Sequence, residues 1–282
     1  MKFLFITDTH YGGPDNEGYR QQVRYNCHAE ELLDRLSDWI RQEGGISFIL
    51  HGGDLVDRGT RENIRLGAKL LERLPCPVYL TLGNHDLTQD DSVTAWLEEA
   101  PQLFLGGKID FTILEDGVRF DALCANWGSR PAFWNMKEPQ LAWFTEEQTA
   151  RLTEGPQDLP RIIASHAQPC GLPCEQTGFD GDYHAPHEPF QKFVRETSAE
   201  LKPLAWLGGH NHLTLHRTLE TTHLVTAPAF SETPFEAKLF EYKQQEGNLI
   251  MKTVTFADSL SFRTAYDFNK TFVQGRSCDR MF

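Results

Sequence analysis

Residues 78–86 read Val78-Tyr79-Leu80-Thr81-Leu82-Gly83-Asn84-His85-Asp86, an apolar run that passes directly into a glycine and three residues able to coordinate a metal. A short run of this kind, rich in branched and aromatic side chains, reads as a buried strand. The glycine permits a tight turn after it. Four other stretches are built the same way. Phe3 to Thr7 leads into Asp8-Thr9-His10, and Ile46 to Leu50 into Gly53-Asp54-Leu55-Val56-Asp57. Ile162 to Ser165 leads into His166, and Leu204 to Leu207 into Gly209-His210-Asn211-His212. Open α/β sheets bind ligands where loops leave the carboxyl ends of their strands. Donor groups roughly two hundred residues apart can therefore meet at one edge of the fold, and seven N and O donors are enough for two divalent ions.

Between these strands the pattern changes to helical spacing. Tyr19 to Arg41 carries Leu32, Leu33, Leu36, Trp39 and Ile40 on one face and stops at Gly44-Gly45. Further helices are expected at about Glu62 to Arg73, Val93 to Glu99, Gln140 to Leu152 and Glu188 to Leu201, giving the alternation of βαβ units. Glu115-Asp116-Gly117 reads as the turn of a hairpin between Ile109–Ile113 and Gly117–Ala125. Strands are expected again at His216 to Leu219, His223 to Ala227, Ala237 to Tyr242 and Leu249 to Phe256. Residues 168–189 are a Pro/Gly/His-rich loop of the length associated with lids. One domain over residues 1–256 is expected, with a tail of unassigned role over 257–282.

The chain has 282 residues, 40% of them hydrophobic, and a formal net charge of −13. A nucleic-acid backbone needs a basic surface, so nucleic acid is excluded as the main partner. No apolar run reaches the length of a membrane span, and the first strand begins at Phe3 with no leader before it. The chain reads as soluble and cytoplasmic, with self-association left open. Its six cysteines include no C-x-x-C pair, so reduced structural thiols are expected. Cys170 and Cys174 are close enough in sequence to form a local disulfide or thiolate pair.

The five blocks, taken in order, resemble the calcineurin-like metallophosphoesterase superfamily, whose pattern runs D-x-H, GDxxD, GNH[DE], a lone H and GHxH. The match extends from Asp8 to His212. The resemblance implies an α/β fold with four α/β/β/α layers, two mixed sheets packed face to face and flanked by helices. It implies a dinuclear metal-dependent phosphohydrolase acting on a small-molecule phosphoester. Asp8, His10 and His212 would hold one metal, Asn84, His166 and His210 the other, and Asp54 would bridge them. Oxygen donors mixed with imidazoles suit Mn, Fe, Zn or Co. A bridging hydroxide would attack phosphorus. Asn84 and His85 would contact the phosphoryl group, His85 would also protonate the leaving group, and Asp86 would orient it. Asp57 would support its loop.

The substrate is less sharply indicated. Gly53 to Gly59 also resembles the G-D-x-V-D-R-G block of Ser/Thr protein phosphatases, where the arginine binds phosphate, which makes Arg58 a candidate. However, the first block lacks glycines flanking Asp-x-His, and the last has two histidines. The stretches Leu74–Asp86, Gln140–Phe144 and Thr226–Phe230 resemble class III cyclic-nucleotide phosphodiesterases and glycerophosphodiesterases. A phosphodiesterase is therefore expected, the alternatives being a phosphomonoesterase, including a protein phosphatase, and a nucleotide-binding scaffold without turnover. The chain departs from that branch at Cys124-Ala125-Asn126-Trp127-Gly128. There Asn126 is a candidate substrate contact, and Trp127 is either a stacking surface or core. His184 and His187 are further candidates in the long loop.

Overall fold

The computed structural model describes residues 1–15, 22–173, 182, 184–265 and the backbone of 280–281. Among the described residues, twelve strands form two six-stranded mixed sheets. The first runs β12(Arg280–Met281), β11(Asn248–Thr255), β10(Glu236–Lys243), β1(Lys2–Ile6), β2(Ile46–His51), β3(Val78–Leu80). The second runs β4(Phe111–Glu115), β5(Val118–Leu123), β6(Arg161–Ser165), β7(Ala205–Gly208), β9(Thr222–Thr226), β8(Leu215–Leu219). β1, β2 and β3 are parallel, as are β5, β6, β7 and β9. The hairpins β10–β11, β4–β5 and β8–β9 are antiparallel.

The sheets meet through aromatic side chains. Phe120 of β5 stands edge-on to Phe3 of β1 at 4.9 Å and to Phe48 of β2 at 5.2 Å, the geometry aromatic quadrupoles favour. Helices α1(Ala29–Glu43), α2(Arg61–Leu71), α3(Ser92–Glu99), α4(Glu146–Arg151) and α5(Glu188–Leu201) flank the sheets. α5 packs onto the second sheet by setting Phe193 edge-on to Trp206 of β7, at 5.9 Å. The four-layer arrangement is the expected one.

Two helices are shorter than their periodicity suggests, and both losses serve the site. α1 begins at Ala29 because the chain before it is committed elsewhere. Arg24 pairs with Glu232 as a β-bridge, and Asn26 Nδ2 donates to the carbonyl of His10 at 2.8 Å. The start of that predicted helix, residues 19–21, lies outside the described residues. α4 begins at Glu146, not Gln140. Thr145 and Gln148 form a reciprocal capping box, while Trp143 is held as a bridge to Asn126 and through its indole N–H to the Gly128 carbonyl at 3.0 Å. Residues 124–145 therefore form a long ordered loop beside the strand ends.

The expected tail is partly built into the domain. Phe262 stacks on His28 at 3.7 Å, Ser261 bonds Glu31, and Arg280–Met281 pairs with β11. Cys174 and Cys278 lie outside the described residues. Cys27, Cys76, Cys124 and Cys170 are free thiols. Among the described residues, no helix is long and apolar enough to cross a membrane.

Candidate metal centre

The five blocks follow the carboxyl ends of β1, β2, β3, β6 and β7 and meet where the two sheets abut. Backbone bonds continue the strand order past the strands themselves. Asp8 N–H donates to Gly53 O and His10 N–H to Asp54 O, each at 2.9 Å, and Gly209 N–H donates to His166 O at 3.0 Å. Asp8, His10, Asp54, His210 and His212 all have positive φ, between 49° and 69°. Non-glycine residues adopt this region rarely and at a cost of about 1–3 kcal/mol each. Strain at five of the seven expected ligands bends each side chain back over its strand end. Gly83 is required for a different reason. A Cβ there would lie 2.5 Å from the Asp54 backbone nitrogen.

The expected ligands form two adjoining clusters, Asp8–His10–His212 and Asp54–His166–His210, and a third group, His10–Asp57–His85, overlaps the first through His10. Asp8 Oδ1 lies 3.3 Å from His212 Nε2, and Asp54 Oδ2 lies 3.2 Å from His166 Nε2. Asp54 Oδ2 also comes within 3.8 Å of His10 Nε2, so one carboxylate faces both clusters. Asn84 Oδ1 is 2.9 Å from His210 Nδ1, beside the second.

A set of acceptors behind the histidines fixes their tautomers. Gly52 O accepts from His166 Nδ1 at 2.8 Å, and Glu232 Oε1 from His212 Nδ1 at 2.7 Å. Asp57 O accepts from His85 Nδ1 at 2.8 Å. Carbonyls and carboxylates only accept, so each of these Nδ1 atoms carries a hydrogen and Nε2 faces forward. The clusters suit cations. Among the described residues, Asp8 Oδ1, Asn84 Nδ2 and His166 Nε2 are buried with no hydrogen-bond partner, an arrangement a protein rarely tolerates without a ligand.

Two residues take different parts from those expected. Asp86 does not orient His85. Its buried carboxylate accepts the backbone N–H groups of Gly83 at 2.9 Å, Val56 at 3.1 Å and Leu55 at 3.3 Å, stapling the second block to the third. His85 is oriented by Asp57 instead, through the main-chain carbonyl. Asn126 belongs to neither cluster. Its amide is buried and spent on Gln148 Oε1 at 2.8 Å and Ala132 N–H at 2.8 Å, because the long loop needs internal partners. Its neighbour Trp127 is core, tilted over His210 at 4.4 Å with its edge toward His166. Arg58 is exposed at the rim, past Asp57. His187 caps α5, and among the described residues neither it nor His184 belongs to a cluster.

Two residues here were not foreseen. Glu232 is fully buried behind His212. Its only signal in the sequence is that it is the one charge between Leu224 and Phe235. Arg24 sets its buried guanidinium 3.5 Å from Asp57 Oδ1 and 3.8 Å from Glu232 Oε1, tying the two supporting carboxylates together. Outer partners of this kind are worth about 10–100-fold in metal affinity. Glu232→Gln is therefore expected to weaken metal binding by about that factor, measured by competition with a fluorescent chelator.

Burial would lower the imidazole of His166, but the Asp54 and Asp8 carboxylates outweigh it and lift it to about 9. Burial is likewise outweighed at His212, where Glu232 and Asp8 lift the ring to about 10. Burial, with the charge of His166 beside it, pushes His210 down to about 3. In the metal-free protein at pH 7, His166 and His212 are thus protonated and His210 is neutral. A ligand histidine must be neutral. Loading is expected to release about two protons at pH 7, and metal affinity to rise with pH up to about pH 10. Calorimetry in buffers of different ionisation enthalpy reads the number directly, and release of no protons would contradict this charge state.

The calcineurin-like phosphoesterase family model matches residues 1–214, and the chain belongs to that family. The fold is shared with solved structures at low identity. TT1561 of Thermus thermophilus aligns over 90% of this chain and 98% of its own, with a TM-score of 0.58 and 15% identity. Purple acid phosphatase PPD1 from yellow lupin aligns over 98% and 55%, with 0.55 and 14%. The phosphopantetheinyl hydrolase of Mycobacterium tuberculosis aligns over 81% and 89%, with 0.50 and 14%. A search of curated protein sequences finds no match. Metal-dependent phosphoester hydrolysis with divalent metals is the activity of the family, and the clusters have the donor chemistry for it.

Proposed function

We propose that this chain is a dinuclear phosphodiesterase for a small phosphodiester. Asp8, His10 and His212 would hold one divalent ion, Asn84, His166 and His210 the other, and Asp54 would touch both. When bound, such ions make a water-derived nucleophile available at neutral pH and offset the charge of the phosphoryl oxygens.

The remaining work falls to the protein's side chains. His85 projects Nε2 forward, with Nδ1 anchored on Asp57 O, and gives its proton to the departing alcohol oxygen. The Asp54 carboxylate accepts the His85 backbone N–H at 2.8 Å, which holds that residue in register with the clusters. Trp127 screens His210 and His166 from water.

The observation that favours a diester is the supply of positive side chains. Arg24 is engaged by Asp57 and Glu232 behind the ligands, which leaves Arg58 and Lys137, among the described residues near the centre, as exposed cations at the rim, both outside the two clusters. A diester brings one negative charge to the site, whereas a monoester dianion asks for further cations around it. The test compares bis(p-nitrophenyl) phosphate with p-nitrophenyl phosphate on protein stripped and reloaded with Mn, Fe, Zn or Co. Diester preference of about tenfold or more in kcat/KM is expected. Monoester preference would overturn the reading in favour of a phosphatase centred on Arg58, and metal binding without turnover would favour a scaffold.

A further inference from the structure

Beside His85 lies a cavity of about 380 Å³ lined by Arg58, Thr88, Gln89, Asp90 and residues 133–137, within the size range of small-molecule sites. Its wall is the long loop between β5 and α4, fastened to the third block by Trp134 N–H donating to Leu87 O at 2.9 Å. The buried Trp134 ring lies 5.5 Å from the His85 ring. On its other side the His85 ring stands 4.7 Å from the His10 ring, so His85 lies between the cavity wall and the first cluster. Half-buried Phe133 offers aromatic surface with Trp134 packed beneath the lining, and Met136 leaves 48% of its surface exposed at the mouth.

The charges are arranged for an anion. Arg58 and Lys137 are both exposed on the lining and form no ion pair among the described residues. The carboxylate on the lining, Asp90, is neutralised by Arg130, which also lies 3.8 Å over the Phe133 ring. A chain of net charge −13 that places two unpaired cations and an exposed methionine in one hollow beside its proton donor has built a recognition feature, not a solvated surface.

We infer that this cavity seats the leaving group, and that the leaving group is a ring-bearing alcohol carrying a negative charge of its own. The inference rests on the diesterase reading and narrows it. The favoured substrate is a linear diester with a second anionic group, held by Arg58 and Lys137 while its ring packs against Phe133 and Met136. A cyclic nucleotide, whose single charge is on the scissile phosphate, lacks that second group.

The test uses methyl benzyl phosphate and methyl 4-carboxybenzyl phosphate, which differ in the anion alone, with alcohol release followed by chromatography on Mn-loaded protein. The charged diester is expected to have the higher kcat/KM by about fivefold, a reasonable yield for two exposed cations. Lys137→Glu, at an exposed position that folding does not depend on, is expected to erase or reverse that ratio. Equal kcat/KM for the two diesters in the parent protein would overturn the inference while leaving the diesterase reading intact. If neither diester nor bis(p-nitrophenyl) phosphate is hydrolysed, the diesterase reading fails, and the cavity is judged by binding alone. Quenching of tryptophan fluorescence in the metal-free protein would then be titrated with 4-(hydroxymethyl)benzoate and with benzyl alcohol. Tighter binding of the benzoate that Lys137→Glu abolishes supports the cavity's assignment, and equal or absent binding of the two overturns it.

Discussion

Asp54→Asn is expected to strip the protein of both metal ions and to lower diester turnover about a thousandfold. The size follows from how many roles converge on one carboxylate. Oδ2 faces His166 at 3.2 Å and His10 at 3.8 Å, one histidine from each cluster, while Oδ1 accepts the His85 backbone N–H at 2.8 Å. Burial opposes ionisation of Asp54, but the charges of His166 and His85 overcome it and hold the acid well below the usual carboxylate range. The charged form that a cation needs is therefore already present in the folded protein. Asparagine keeps the shape and loses the charge, and each cluster then keeps a single acid or none. Several kcal/mol of lost charge stabilisation correspond to about three powers of ten in rate. Metal analysis of dialysed protein, beside kcat for bis(p-nitrophenyl) phosphate, checks both halves. Two tightly held ions in this variant would sink the ligand assignment.

What could be read from the sequence divides along a physical line. A strand followed by donor residues is a local pattern, and the parallel order of β1, β2, β3 and of β6, β7 carries each such pattern to the same edge. Residues as distant as Asp8 and His212 could therefore be placed together from the chain alone. The division of labour among neighbouring carboxylates was not legible, since it depends on which way a loop turns. Asp57 and Asp86 are both acids beside His85. The turn after Gly83 happens to point the Asp86 carboxylate at three backbone N–H groups, and the Asp57 carbonyl at the imidazole. Burial pushes Asp86 up to about 7, helped by the charge of Asp54, while the Gly83 and Val56 N–H groups that it staples favour its charged form. Glu232 and Arg24 were hidden for a related reason. Arg24 meets Glu232 across more than two hundred residues, and Glu232 reaches His212 from 20 residues away and Arg24 reaches Asp57 from 33, with no periodic pattern around either. The shortened α4 had a legible cause after all, because Thr145 followed by Gln148 is a capping box and marks a helix start inside the apolar stretch.

His85→Ala should separate chemistry from metal binding, which makes it the complement of Asp54→Asn. His85 is outside the two clusters that pair Asp8 with His212 and Asp54 with His166 and groups instead with His10 and Asp57, its Nδ1 already given to Asp57 O at 2.8 Å. Both ions should therefore stay bound. General acid catalysis contributes about 10²–10⁴ in rate, and the loss should depend on the leaving group in a defined way. A nitrophenolate departs readily without a proton, so bis(p-nitrophenyl) phosphate should lose the smaller share of kcat. An alkoxide departs poorly, so methyl benzyl phosphate should lose the larger share, about a hundredfold or more. The contrast between the two substrates carries the argument. A residue that merely orients the phosphoryl group would lower both rates by one factor, because that contact does not sense the departing alcohol. Equal losses would move His85 from proton donor to phosphate ligand. The alkyl-specific loss would instead place its Nε2 on the leaving oxygen, on the side where the Trp134 cavity opens.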